Sequence, residues 1–177
     1  MRYRFLWLVL FGLFVCDGSL FPWLIPAGWT DAMKLSPHFL PIGIMFVALY
    51  VNRHAALVYG LVFGLLQDVF YYGHMLGPHM FTLGVVGYFI GIFYNRGRIT
   101  LTANLIVLAY GLIAYDLLLF GIYHFFAVTD YALGYVLYHS ILPSLLINML
   151  IALVLYVPFR LYFEGAPRRA GKDEIKS

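Results

Sequence analysis

The sequence predicts an all-α integral membrane protein, a bundle of six transmembrane helices with both N- and C-termini cytoplasmic. Three observations carry that prediction. The 177-residue chain is 63% hydrophobic and only 11% charged, against about 25% charged in soluble domains. Its apolar runs approach bilayer thickness, a spanning helix needing roughly 20 apolar residues. Its basic residues also segregate. With six spans and an inner N-terminus, Arg2, Arg4, Arg53, Arg96, Arg98, Arg160, Arg168, Arg169, Lys172 and Lys176 fall inside and only Lys34 outside, as the bias toward positive cytoplasmic loops requires. The opposite orientation, or an odd number of spans, would spoil this segregation.

Residues 1–163 are read as the six-span domain, leaving no room for a soluble one. Span 1 covers about 5–21 and ends before Pro22. Met1-Arg2-Tyr3-Arg4 ahead of it mimics a secretory signal, but no small-x-small cleavage site follows, so the span is read as uncleaved. Residues 22–34, with Trp23 and Trp29, are expected to rest in the membrane interface. Span 2 covers about 37–51, with Ser36 as cap and Pro37 in the first turn. It is short for a bilayer, so it must sit in a thinned region or be shielded by its neighbours. The tight turn Asn52-Arg53-His54 makes spans 2 and 3 antiparallel neighbours. Span 3 covers about 55–72 and span 4 about 79–94, with Gly77-Pro78 breaking and restarting the helix. Span 5 covers about 101–126. Span 6 covers about 133–157, capped by Thr129-Asp130 and kinked at Pro143. Residues 164–177 form a basic cytoplasmic tail, expected to be disordered and to meet anionic lipid rather than nucleic acid. No internal repeat is evident.

The hairpin of spans 3 and 4 organises the chain. Gly60 and Gly64 precede Asp68 by two turns and one, so the three share a helix face. Gly84, Gly87 and Gly91 give span 4 a matching small-residue face, the pattern that lets membrane helices pack backbone to backbone. Gly77 is grouped with these as a packing or partner-interface residue.

The polar residues inside the spans are the candidate site. Asp17, Asp68 and Asp116 lie on spans 1, 3 and 5, each about a dozen residues from the cytoplasmic end. At 1.5 Å per residue they share one level, roughly 20 Å up. A carboxylate near a helix centre costs about 2.5–3.5 kcal/mol on insertion scales, so they are expected to face the bundle interior or a wet outer vestibule. Three readings stay open: structural hydrogen bonding with Gln67, Asn148, tyrosines and backbone; a pocket open to the outer face; and a proton or cation path. The last is weakened because no basic residue lies inside the spans. His38, His74, His79, His124 and His139 fall at outer span ends, where interfacial placement explains them. No pair has the spacing of a helical zinc motif. On the structural reading, Asp68→Asn is expected to be tolerated and Asp68→Leu not.

Catalysis has no candidate. There is no paired acid–base motif, no nucleophile beside a base and no phosphate-cradling loop. The single cysteine, Cys16, excludes an internal disulfide and reads as a small apolar helix residue. No cofactor or metal is expected.

Small residues leading to Gly64-Leu65-Leu66-Gln67-Asp68, then Leu76-Gly77, then a helix with Gly87-Tyr88, resemble the MreD family of bacterial rod-shape-determining proteins. The resemblance extends over most of the chain, and its specific part is Gly60–Gly91. It implies a non-enzymatic, multi-pass subunit of the bacterial cytoplasmic membrane, working in peptidoglycan elongation and cell-shape maintenance. The implied partners are MreC and, more widely, the MreB filament, RodA and an elongation penicillin-binding transpeptidase. It also implies a fold similar to the substrate-binding subunits of vitamin transporters, so such a subunit is the alternative function. A small-molecule channel is third. Gly64, Gln67, Asp68, Gly77 and Gly87 carry over from the family motif; Asp17, Asp116 and Asn148 come from depth alone.

Overall fold

The structure, a computed structural model, describes residues 2–24, 36–71, 75–92 and 100–164, with side chains at 6–19, 36–71, 75–92 and 100–163. Within them every regular element is helical: α1 (Arg2–Leu24), α2 (Phe39–Tyr50), α3 (Arg53–Phe70), α4 (Pro78–Ile90), α5 (Leu101–Phe125), α6 (Leu133–Val136), a π-helical turn (Leu137–Ile141) and α7 (Leu142–Glu164). The segment with Trp29, His74, the turn at Asn95–Arg98 and the basic tail lie outside the described residues, as does the side chain of Trp23.

α2 is the axis of the bundle. Every residue from Leu40 to Leu49 is buried, against α1, α3, α4, α5 and α7. At twelve residues it is only about 18 Å long, well under the ~30 Å hydrocarbon core. Its all-round apolarity is that of a helix enclosed by protein. Phe46 anchors it, stacking on Phe159 with centroids 5.0 Å apart, while Tyr50 stacks on Phe163 at 5.5 Å. Among the described residues, two helices are long and apolar enough to cross a membrane: Leu101–Phe125 and the continuous Leu133–Phe163. Their outward faces carry Tyr110, Leu146, Leu150 and Val154, all well exposed.

Local chemistry sets several ends. The Asn52 side chain accepts from the Ala55 N–H at 2.6 Å and starts α3, and Thr100 does the same for α5 through the Ala103 N–H at 3.3 Å, each satisfying an orphan donor of the first turn. Gly77 sits at φ +118° directly before Pro78, a left-handed conformation that only glycine adopts cheaply.

Other ends differ from the sequence reading. α1 runs past Pro22 to Leu24; a proline in a last turn forfeits only one hydrogen bond. α2 starts at Phe39, and neither Ser36 nor His38 caps it with its own side chain, because donated groups from other helices do so. α6 is capped at Ala132 without a side-chain bond, so Thr129 and Asp130 are not its cap. Pro143 is accommodated by the π-helical turn before it, where the Leu142 N–H reaches the Leu137 carbonyl, one residue further back than in an α-helix. α7 continues through Pro158 to Glu164, held by buried Phe159.

Candidate functional site

The α3–α4 contact is backbone on backbone. A Cβ added at Gly60 would lie 2.7 Å from the Leu83 carbonyl oxygen, and one at Gly64 would lie 2.6 Å from both the His79 carbonyl oxygen and the Met80 Cα. On α4, Gly84 meets the Leu61 side chain, Gly87 meets Ile44 and the Ala56 carbonyl, and Gly91 lies on the Arg53 backbone. Gly77 does not belong with them. Nothing lies within 4 Å of its added Cβ; its part is the left-handed turn, not packing.

That close approach delivers Asp68 to the start of α4. Asp68 is fully buried. Its Oδ2 accepts from the Gly77 N–H and the Met80 N–H, both at 3.0 Å. Its Oδ1 accepts from the His79 N–H at 3.1 Å and lies 2.9 Å from His79 Nδ1. A carboxylate from one helix therefore caps the next, matching charge to the positive end of the helix dipole.

Asp17 does the same for α2. Its Oδ1 accepts from the Phe39 N–H at 2.7 Å and its Oδ2 from the Leu40 N–H at 3.1 Å. Gln67 Nε2, on α3, donates to the same Oδ2 at 3.0 Å. Asn148 on α7 completes the cap, accepting from the His38 N–H at 2.8 Å while its Nδ2 donates to the Ser36 carbonyl at 3.0 Å. Ser144 Oγ accepts from the Ser36 N–H at 3.0 Å. Asp116 on α5 lies 3.0 Å from His38 Nε2.

The three acids thus all point inward but form two subsites rather than one carboxylate cluster. Asp17 and Asp116 flank His38; Asp68 holds His79. Tyr115 joins them, its ring centroid 5.1 Å from that of His38 and 6.5 Å from that of His79. Gln67 reaches Asp17, as one of the sequence readings had it, whereas Asn148 bonds the backbone of Ser36 and His38, not an acid.

Sequence reasoning missed the two histidines. His38 and His79 lie at helix starts, as expected, but their side chains turn into the bundle as partners of the acids. The view that no basic group is available inside the spans is corrected accordingly. A signal was present: Leu35-Ser36-Pro37-His38-Phe39 and Leu76-Gly77-Pro78-His79-Met80 are one motif written twice, each opening a short inward helix and each preceded by a capping aspartate. The shared pattern is short, Leu-x-Pro-His, and falls at the start of each helix. The remaining described histidines are exposed, His124 and His139 bonding nearby carbonyls. Among the described residues no three His, Cys, Asp or Glu are grouped to hold a metal ion.

What the fold and site define is a class: an apolar helical bundle whose buried charges cap helices and whose small residues bring backbones into contact. The chain matches the family described as rod shape-determining protein MreD over residues 1–165 and belongs to that family. It is 30% identical over 141 residues to the rod shape-determining protein MreD of Bacillus subtilis (strain 168), covering 76% of this chain and 77% of that relative. No solved structure matches it.

Proposed function

We propose that this chain is a non-enzymatic, six-span subunit of the bacterial cell-elongation complex, binding MreC in the cytoplasmic membrane and supporting peptidoglycan synthesis and cell shape. The observation that carries this reading is membership of a rod shape-determining family over nearly the whole chain. The site supports it: the side chains of Asp17, Gln67, Asp68, Asp116 and Asn148 each bond to a different helix or to the residues that open one, the arrangement of a rigid platform. In this reading residues 1–163 span the bilayer six times with both termini inside. The short helices α2 and α4 cross among longer ones, and residues 164–177 lie on anionic lipid. MreB, RodA and a penicillin-binding transpeptidase belong to the wider assembly. Family membership favours this function over a vitamin-transporter subunit.

Two measurements test it. Affinity capture of the tagged, detergent-solubilised chain, followed by mass spectrometry, is expected to recover MreC; capture of transporter ATPases in its place would overturn the reading. In a Cys16→Ser background, a cysteine at Asp130 is expected to react with an impermeant thiol reagent from outside, and one at Gly97 not to. The opposite labelling pattern would refute the topology.

A further inference from the structure

The repeated Pro-His motif is used in two different ways. His79 pairs with Asp68 of its own hairpin, and the pair is sealed, with side chains 4% and 0% exposed. His38 instead reaches across to Asp116 on α5, and that pair is less completely enclosed, with side chains 12% and 15% exposed. The second Asp116 oxygen bonds to none of the described residues.

We propose that the His38–Asp116 pair is a protonation-dependent latch holding the outer half of α5 against the N-terminus of α2. His38 lies between two acids, Asp116 on α5 and Asp17 on α1, both within charge-interaction range. From α4 the facing group is His79, itself paired with Asp68 of α3. From α7 Asn148 and Ser144, which do not titrate, bond the backbone at His38 and Ser36. As an imidazolium, His38 is the counter-charge for both acids. As a neutral imidazole it keeps at most one hydrogen bond to Asp116 and no longer supplies a positive charge between the two acids. The latch is closed while His38 carries its second ring proton, and it weakens as rising pH removes that proton.

The neighbouring contacts give the motion a direction. α7 stays attached through the neutral bonds of Asn148 and Ser144. Lower on α5, Gly111 packs against Ile90 and Met45, and Asn104 Nδ2 donates to the Tyr50 hydroxyl at 3.1 Å. Release at Asp116 therefore frees α5 above Gly111 and leaves its base fixed.

The test is a distance between spin labels at Gly121 on α5, where nothing lies within 4 Å of an added Cβ, and Val69 on α3, which is 54% exposed, in a Cys16→Ser background. In the otherwise unaltered protein the distance is expected to lengthen by roughly 2–5 Å, the scale of helix shifts in switching proteins, between about pH 5.5 and about pH 8.5. His38→Gln keeps a donor without a titrating charge and is expected to abolish the pH response. Asp116→Asn keeps the hydrogen bond without the carboxylate and is expected to do the same. A pH-independent distance in the unaltered protein, or a response that survives both substitutions, would overturn the latch.

Discussion

Asp68→Asn is expected to destabilise the α3–α4 hairpin severely, by about 2–5 kcal/mol. The reason is donor and acceptor counting. Asp68 takes four contacts from donors on two oxygens: the Gly77, His79 and Met80 N–H groups and the His79 ring. An asparagine offers one acceptor oxygen and one amide nitrogen that only donates. Whichever way the amide is turned, its nitrogen faces at least one buried backbone N–H. This reverses the expectation from sequence that asparagine is tolerated, because the groups around Asp68 call for acceptors rather than for a donor. Asp68→Leu leaves all three N–H groups unpaired and is expected to be at least as damaging. Thermal unfolding of the solubilised protein checks this. Asp116→Asn serves as the comparison, because only one Asp116 oxygen is engaged and an amide oxygen can still accept from His38. Equal melting temperatures for Asp68→Asn and Asp116→Asn would refute the capping role. A proton-path role predicts a folded Asp68→Asn protein that has lost function, so the two readings separate in one experiment.

Gly64→Ala is expected to cost about 1–3 kcal/mol by overpacking, and Gly64→Leu more. The obstacle is backbone, the His79 carbonyl and the Met80 Cα at 2.6 Å, so no side-chain rotation relieves it. α3 and α4 must move apart, and the strain falls on residues whose N–H groups bond Asp68. Loss of MreC capture should accompany the loss of stability if the hairpin is the partner platform. Gly12→Ala is the control, since nothing lies within 4 Å there. It should be neutral or raise stability by up to about 1 kcal/mol, alanine being the better helix former. Indistinguishable melting curves for Gly64→Ala and Gly12→Ala would sink the close-packing account.

The sequence by itself determined the helical class, the approximate course of the apolar helices and the acids that turn into the bundle. Composition and apolar run length are properties of the chain, and a buried carboxylate carries the same cost wherever its partner comes from. Gly60, Gly64, Gly87 and Gly91 could be read as packing residues because helical spacing puts them on faces before any neighbour is known. Asp68 was legible for a related reason: it shares a helix face with Gly60 and Gly64, two turns and one before it. Only the tertiary structure decided which group answers each acid. Asp17 caps a helix that begins at Phe39, Asp116 pairs with His38, and Asn148 bonds Ser36 and His38. These are contacts between helices distant in sequence, and periodicity along one helix says nothing about what a second helix brings to it. Gly77 was misread for the same reason in reverse. A glycine beside a packing face looks like a packing glycine until its backbone angle and its empty surroundings are seen. The enclosure of α2 was likewise settled by packing. A short apolar helix reads alike whether lipid or protein surrounds it, and five neighbouring helices surround this one.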